Sequence, residues 1–152
     1  MRDTDTKNIA TNRKAYHEFF IQEKFEAGIV LTGSEVKSLR EGRANLKEGY
    51  VQVREREVWA VGLHISPYSH TGYLGHEPVH DRRLLLNRRE IMRLQRAVDQ
   101  KGMTIVPLRL YFKGGWAKLE IALARGKHSY DKKEAIKAKD LKRNTEREIG
   151  RY

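Results

Sequence analysis

A short segment near the N-terminus, NRKAYH at residues 12–17, combines an amide, two cations and two rings. Lysine and arginine side chains attract phosphates, while tyrosine and histidine rings stack on unpaired bases. The segment predicts contacts with a nucleic acid through Arg13, Lys14 and His17. The alternative is a solvated, frayed terminus.

A second group of cations follows at Lys37, Arg40 and Arg43. Lys37 and Arg40 are three residues apart in a predicted helix, on the face opposite Val36 and Leu39, so they form a positive stripe suited to phosphates. The alternative is an ordinary amphipathic helix with a solvated charged side.

Three consecutive leucines, residues 84–86, lie between two arginine pairs and precede Asn87. Side chains alternate between the two faces of a strand, so the three leucines cannot all face a core from one strand. At least one is expected at the surface, where it could pack on a base or a ribose. The alternative is a bend that buries all three.

Glu26 lies in the sequence FEAG, beside small residues on an otherwise basic chain. Its carboxylate could accept hydrogen bonds from base amino groups. The alternative is a surface carboxylate paired with a nearby lysine. A general acid or base would want a second carboxylate or a histidine in reach, and the sequence supplies neither.

Several kinds of chemistry have no support in the residues. The chain has no cysteine, which removes disulfides, thiol catalysis and cysteine-ligated metals. His70, His76 and His80 match no metal-ligand spacing, and hydrolase and nucleotide-loop motifs are absent from the sequence. We expect no metal, no cofactor and no enzymatic activity.

The length and the net charge of the chain indicate how many domains it forms and what kind of partner it binds. The 152 residues are enough for one domain, and the net charge of +11 favours a polyanion. Residues 125–152 carry ten Lys/Arg and five Asp/Glu, a net of +5, with few large apolar side chains. We expect this tail to be mobile in the free protein; a merely solubilising tail is the alternative. A polar start and no long apolar stretch predict a cytoplasmic location and no membrane insertion.

The remaining pattern is mainly that of strands. Alternating apolar residues predict strands in four segments, and Phe19–Leu31 is predicted to be a long strand broken near Gly28. The sequence Lys113-Gly114-Gly115 predicts a hairpin. The four alternating segments include Val51 and Val53; Trp59, Val61, Leu63 and Ile65; Val106, Leu108, Leu110 and Phe112; Leu119, Ile121 and Leu123.

Two helices are predicted from capping signals. One begins after Thr32, with Glu35 three residues later, and ends at Gly42; the other begins after Asn87 and ends before Gly102. Short strands with one or two helices predict a mainly β fold, a small antiparallel barrel of OB type over residues 1–124 with a short polar N-terminal arm.

Three long segments together resemble one family. The sequences NRKAYHEFFIQEKFEAGIVLTGSEVKSLREG, RRLLLNRREI and YFKGGWAKLEIALARGKHSYDKKEAIKAKD closely resemble the bacterial SsrA-binding proteins, also called small protein B, from about Asn8 to about Arg143. The resemblance implies an OB-like barrel with three helices, and a non-enzymatic, monomeric RNA-binding adaptor of trans-translation. The implied partners are the tRNA-like domain of transfer-messenger RNA and the stalled ribosome, with alanyl-tRNA synthetase and elongation factor Tu reached through the RNA.

The resemblance also assigns residues. It implies that Asn12, Glu26 and Leu85 belong to the RNA-binding face, and that the tail becomes helical in the empty mRNA channel near the decoding centre. There the family has a DKR-type signature, which in this chain is Asp131-Lys132-Lys133. Lysine keeps the charge of arginine but not its planar fork.

The candidate sites comprise a barrel set and a tail set. The barrel set is Asn12, Arg13, Lys14, His17, Glu26, Lys37, Arg40, Arg43, Leu85 and Asn87; the tail set is Gly126, Lys127, His128, Tyr130, Asp131, Lys132, Lys133 and Lys137. A generic OB-type nucleic-acid-binding module is the alternative function, and a nuclease is a weaker third.

Overall fold

A computed structural model describes residues 6–68 and 76–127. The described chain contains nine strands and three helices. In chain order they are β1 Thr6–Thr11, α1 Arg13–Glu18, β2 Phe19–Ile29, α2 Gly33–Arg40, β3 Ala44–Asn45, β4 Tyr50–Arg54, β5 Glu57–Val61, β6 His64–Ile65, β7 Arg82–Leu85, α3 Arg88–Lys101, β8 Thr104–Lys113 and β9 Trp116–Gly126.

Six strands close into an antiparallel barrel in the order β8, β4, β5, β7, β2, β9, with β9 pairing back to β8. β1 pairs with the second half of β8, outside this ring, and β3 pairs with β6 as a separate ribbon. The prediction of a mainly β, antiparallel barrel with about three helices is confirmed. The described residues contain no helix long and apolar enough to span a membrane.

The barrel interior holds most of the buried apolar side chains. Leu119, Ile121 and Leu123 share its inner face, as their spacing predicts, and Leu94 of α3 packs against them at 0% exposure. A smaller cluster lies under α1, where Ala15 packs with alanines of β9. Since α1 covers the wall formed by β8 and β9, that part of the wall is buried on both sides.

The strand predicted over residues 106–112 is confirmed as part of β8, whereas residues 59–65 are divided between β5 and β6. In both segments a local irregularity changes which side chains face inward. Val58 and Ala60 of β5 are fully buried whereas Trp59 and Val61 are only partly buried, and burial moves to Leu63 and Ile65 after Gly62. Gly62 has a φ of 79°, which interrupts the alternation. In β8 the register shifts between Pro107 and Arg109, so Val106 and Leu108 lie in the cluster under α1, whereas Leu110 and Phe112 face the barrel interior.

The predicted break at Gly28 was wrong. β2 is continuous through Gly28, which pairs with Leu85 of β7 and Lys118 of β9. Gly28 needs no positive φ, because strands on both sides hold its backbone extended. In contrast, the hairpin predicted between β8 and β9 is confirmed: Gly114 and Gly115 have φ values of 59° and 84°, the conformation of a two-residue primed turn.

The N-terminal region is more regular than its sequence predicts. The sequence predicts a polar arm before a first strand at Phe19, but a strand, β1, and a helix, α1, precede Phe19, and residues 12–17 form most of α1 with its N-cap. The other two helices begin as predicted, because Thr32 with Glu35 and Asn87 with Glu90 each form both hydrogen bonds of a capping box. α3 ends at Gly102, which is in the left-handed conformation.

Candidate nucleic-acid interface

Asn12 lies at the junction of β1 and α1, and it is 6% exposed. Its Nδ2 donates to the Pro107 carbonyl at 2.9 Å, and its Oδ1 accepts from the Ala15 N–H at 3.3 Å, which caps α1. The side chain therefore fixes the start of α1 and ties it to β8. We interpret its contribution as positioning the exposed side chains of Arg13 and Lys14.

These two cations lie beside a second polar segment. A shallow depression is lined by residues of β1 and α1 on one side and of β3 and the following turn on the other: Thr11, Asn12, Arg13, Lys14, Asn45 and Lys47. Three cations around one depression produce a positive potential suited to a phosphate backbone. His17 is also exposed, one turn further along α1.

α2 presents the predicted positive stripe. Lys37 and Arg40 are exposed, and the Lys37 ammonium lies 5.6 Å from the centre of the Tyr68 ring. Arg43 is also exposed, but it lies after the end of α2 and forms an ion pair with Glu41 at 3.8 Å. Leu39 is buried at 1% exposure and Val36 packs against the core, as predicted for the opposite face. The stripe is therefore available for phosphates.

α2 is held in place by a buried ion pair that the sequence does not reveal. The Nε of Arg82 donates to Glu35 Oε2 at 2.7 Å, and both side chains are 0% exposed. The two terminal guanidinium nitrogens, Nη1 and Nη2, donate to the carbonyls of Leu63, His80, Glu77 and Pro78. Arg82, which belongs to one of the two arginine pairs around the leucines, is thus a buried anchor that no phosphate can reach.

Two of the three histidines whose spacing was tested for a metal site form hydrogen bonds with α2. His80 Nε2 lies 2.7 Å from Glu35 Oε2, and His76 bridges the Ser34 hydroxyl and the Ile65 carbonyl. His70 lies outside the described residues. Within the described parts of the chain, no group of three histidine, aspartate or glutamate side chains could hold a metal ion.

Glu26 and Leu85 share the outer face of the barrel. Gly28 of β2 pairs with Leu85, and Glu26 lies two residues earlier on β2, so both side chains point outward. Leu85 is 53% exposed, whereas Leu84 is 2% exposed and Leu86 packs partly against the core. The expectation that at least one of the three leucines is exposed is thereby confirmed. Asn87, which follows, is exposed and caps α3 through Oδ1.

Glu26 belongs to a network that the sequence did not predict. The Tyr111 hydroxyl donates to Glu26 Oε2, and Lys113 Nζ lies 3.4 Å from that oxygen. Glu120 is the cross-strand neighbour of Glu26 on β9, so a second carboxylate is adjacent, contrary to our expectation from the sequence. Arg109 pairs with Glu120 in the register of β8 and β9, and its guanidinium lies 4.2 Å from the Tyr111 ring.

The network sets the protonation of both partners. The hydrogen bond from Tyr111, aided by Lys113 and Lys118, holds the pKa of Glu26 below its ordinary value. Burial and the same hydrogen bond raise the pKa of Tyr111 above its ordinary value. Glu26 is therefore an ionised acceptor and Tyr111 a neutral donor at neutral pH, so Glu26 offers its remaining lone pairs to donors of a ligand.

The tail leaves the barrel beside α1. The Lys127 N–H donates to the Glu18 carbonyl at 2.8 Å, and the Lys127 ammonium lies 4.9 Å from the centre of the Phe20 ring. Gly126, the last residue of β9, pairs with Phe19. The other tail candidates lie outside the described residues: His128, Tyr130, Asp131, Lys132, Lys133 and Lys137.

The candidate residues thus fall into separate groups. Asn12, Arg13 and Lys14 line one depression with the segment that begins in β3. Glu26 and Leu85 lie on the same outer face, where Gly28, two residues after Glu26, is the cross-strand partner of Leu85. Together with the net charge of +11, the closed antiparallel barrel and these outward cations define a small basic barrel of the class that binds nucleic acids.

Comparison with known proteins identifies the family. Residues 9–151 match the family described as "SmpB protein", and the chain belongs to that family. An SsrA-binding protein of Sulfurihydrogenibium sp. (strain YO3AOP1) is 55% identical over 141 residues, which cover 93% of each chain. Another, of Syntrophobacter fumaroxidans, is 56% identical over 142 residues, which cover 93% of this chain and 88% of that one.

A solved structure shows the same architecture. One chain of the structure described as "tmRNA-SmpB: a journey to the center of the bacterial ribosome" aligns with a TM-score of 0.70 at 41% identity. The alignment covers 85% of this chain and 94% of that chain.

Proposed function

We propose that the chain is an RNA-binding adaptor of trans-translation, without enzymatic activity. It binds the tRNA-like domain of transfer-messenger RNA and delivers that RNA to stalled ribosomes in the cytoplasm. Its family membership, the name of its relatives and the ribosomal setting of its structural neighbour support this function.

The observation that carries the RNA-binding role is the outer face shared by Glu26 and Leu85. An ionised carboxylate kept in place by Tyr111 lies on the same outer face as a leucine that is 53% exposed. Proteins recognise RNA by packing apolar side chains against splayed bases and by hydrogen-bonding their edges. This face offers both kinds of contact, and nearby cations offer phosphate contacts.

The second part of the proposal concerns the tail. Residues from Asp131 onward enter the empty mRNA channel and fold there near the decoding centre, while a channel filled with message excludes them. The basic charge of the segment supports this role, because ribosomal RNA neutralises it on folding. Alanyl-tRNA synthetase and elongation factor Tu then act on the complex through the RNA.

The first experiment is a gel shift with the tRNA-like domain at near-physiological salt, with excess elongator tRNA as competitor. A complex that survives competition is expected. A complex erased by the competitor would leave only a generic basic barrel, and the adaptor role would be refuted.

Variants then test the face. We expect Glu26→Gln and Leu85→Ala to weaken binding roughly tenfold or more, since each loses about 1.5 kcal/mol of a charged hydrogen bond or of apolar burial. Glu23→Gln on the same strand and Met92→Ala, at 51% exposure, are matched controls expected to bind like the wild type. Equal binding by all four folded variants would show that the RNA contacts another face.

Deletion of residues 131–152 separates the two parts. The truncated protein should retain wild-type affinity for the tRNA-like domain but lose peptide tagging in a reconstituted translation reaction. Loss of both together would contradict the division of labour between barrel and tail.

A further inference from the structure

One side of α3 borders a groove on the surface of the protein, which we call the α3 groove. Its volume is about 510 Å³, and Arg56 of the β4–β5 turn lies on its other side. The lining residues of α3 extend from Arg88 to Gln100, which is about 18 Å of helix. The α3 groove is therefore long enough to hold about three turns of a second helix.

Three apolar side chains, those of Leu86, Ile91 and Met92, line the α3 groove. Leu86 and Ile91 pack partly against the core, whereas Met92 is 51% exposed. A methionine side chain is flexible and polarizable, so it adapts to the shape of a protein partner. None of the described residues that line the groove is aromatic, so it offers no ring on which an unpaired base could stack. The α3 groove therefore suits the apolar side chains of a protein better than the bases of an RNA.

Cations surround these apolar side chains. Arg56, Arg88 and Arg96 are exposed and line the α3 groove, and within the described parts of the chain none of the three forms an ion pair. The one carboxylate among the lining residues, that of Asp99, accepts from Gln95 Nε2 at 2.9 Å. A partner with carboxylates complements this charge, whereas a second copy of the chain, or its own basic tail, would be repelled.

We infer that the α3 groove docks an acidic amphipathic helix of a partner protein. The apolar residues of that helix, at the i, i+3, i+4 and i+7 spacing that such helices present to a groove, lie against the three apolar side chains. Its glutamates or aspartates pair with the three arginines. The inference goes beyond the proposed RNA-binding function, because the groove lies along α3 and not on the strand face that carries Glu26 and Leu85.

The first test measures binding of a fluorescein-labelled helical peptide of about 15 residues, slightly longer than the α3 groove. Its leucines follow the i, i+3, i+4 and i+7 spacing and are flanked by glutamates, and a scrambled peptide of the same composition is the control. Fluorescence anisotropy with the full chain, at near-physiological salt and without RNA, should show that the patterned peptide binds at least roughly tenfold more tightly. Equal affinity for the two peptides, or no binding, would overturn the inference.

Charge-reversing variants then locate the site. Arg88 and Arg89 are consecutive exposed residues in the first turn of α3, but only Arg88 lines the α3 groove. Arg88→Glu should weaken binding of the patterned peptide roughly fivefold, whereas Arg89→Glu is the matched control and should bind like the wild type. Both variants should fold, because glutamate is favourable in the first turn of a helix. Equal weakening by both would show that the peptide responds to overall charge and does not dock in the groove.

The last test distinguishes a protein partner from an RNA. A photo-reactive amino acid replaces Met92 in the full chain, and the protein is irradiated in a bacterial lysate. Mass spectrometry of the cross-linked product should identify a segment of a partner protein whose acidic and apolar residues alternate at helical spacing. A cross-linked partner that RNase degrades, a protein segment without that pattern, or no product would overturn the inference.

Discussion

The buried ion pair between Arg82 and Glu35 makes a sharp prediction about stability. Replacing Arg82 with methionine keeps the apolar stem but removes every donor of the guanidinium. Glu35 then retains the Thr32 N–H and His80 as partners, inside a site where its side chain is 0% exposed. The four carbonyls that Arg82 satisfies lose a donor as well.

The expected loss of stability follows from the burial of the Arg82–Glu35 pair. Removing one partner of a buried pair destabilises a protein by roughly 3–5 kcal/mol, and the two donors left to Glu35 place this case near about 3 kcal/mol. For a chain of this length each kcal/mol lowers the melting temperature by about 2–4 °C, so Arg82→Met should melt about 6–12 °C lower than the wild type. The loss should not depend on salt, because a buried pair is poorly screened.

The adjacent arginine provides the control. Arg83 is 49% exposed and pairs with Glu57 at 3.3 Å, so Arg83→Met should change stability by no more than about 1 kcal/mol. Both variants are measured by thermal denaturation followed by circular dichroism, at two salt concentrations. If both melt at the same temperature, Arg82 does not anchor α2 and the reasoning from burial fails.

Three further predictions concern the ionisation of Glu35, the β4–β5 turn and the backbone at Gly62. The pKa of Glu35 lies below its ordinary value of 4.5 despite burial, because the Thr32 N–H and Arg82 favour the ionised form. The stability lost in Glu35→Gln should therefore be largest above about pH 4.5 and shrink as the pH falls through the pKa of Glu35 in the folded protein. A pH-independent difference in urea titrations would contradict this. Glu55 and Arg56 have φ values of 48° and 69° in the β4–β5 turn, a conformation that asparagine and glycine adopt more readily. The double variant Glu55→Asn, Arg56→Gly should therefore raise the free energy of unfolding by about 1 kcal/mol, measured by urea unfolding. No gain would show that the turn is unstrained. Gly62→Ala should lower stability by about 2 kcal/mol or more in the same assay, since its Cβ would lie 2.8 Å from the Glu48 carbonyl oxygen; wild-type stability would mean that the segment shifts freely.

The site itself was only partly predictable. The three consecutive leucines predict that at least one is exposed, since strand alternation forbids burying them all on one face, and the structure shows that it is Leu85. The network around Glu26 could not be found, because Tyr111 is 85 residues away and the strand register that brings it there is a property of the closed barrel. The burial of Asn12 likewise depends on its bond to Pro107, which is 95 residues away.

Several features follow from the sequence alone because their causes are local. Both capping boxes, the glycine turn between β8 and β9, the shared inner face of Leu119, Ile121 and Leu123, and the basic charge depend on residues within a few positions of one another or on composition. Hydrogen bonds and dihedral preferences at that range act in any fold.

Closure of the barrel decided the rest. It buried Arg82, one of the arginines around the leucines, as an anchor for α2. It also placed Gly62 and the register shift in β8 where they change which side chains of each strand face inward. It also paired Gly28 with Leu85, and so placed Glu26 and Leu85 on one outer face, from two strands that are more than 50 residues apart in sequence. These contacts depend on which segments, far apart in sequence, pair as strands and pack into the same core. They are therefore visible only in the tertiary structure.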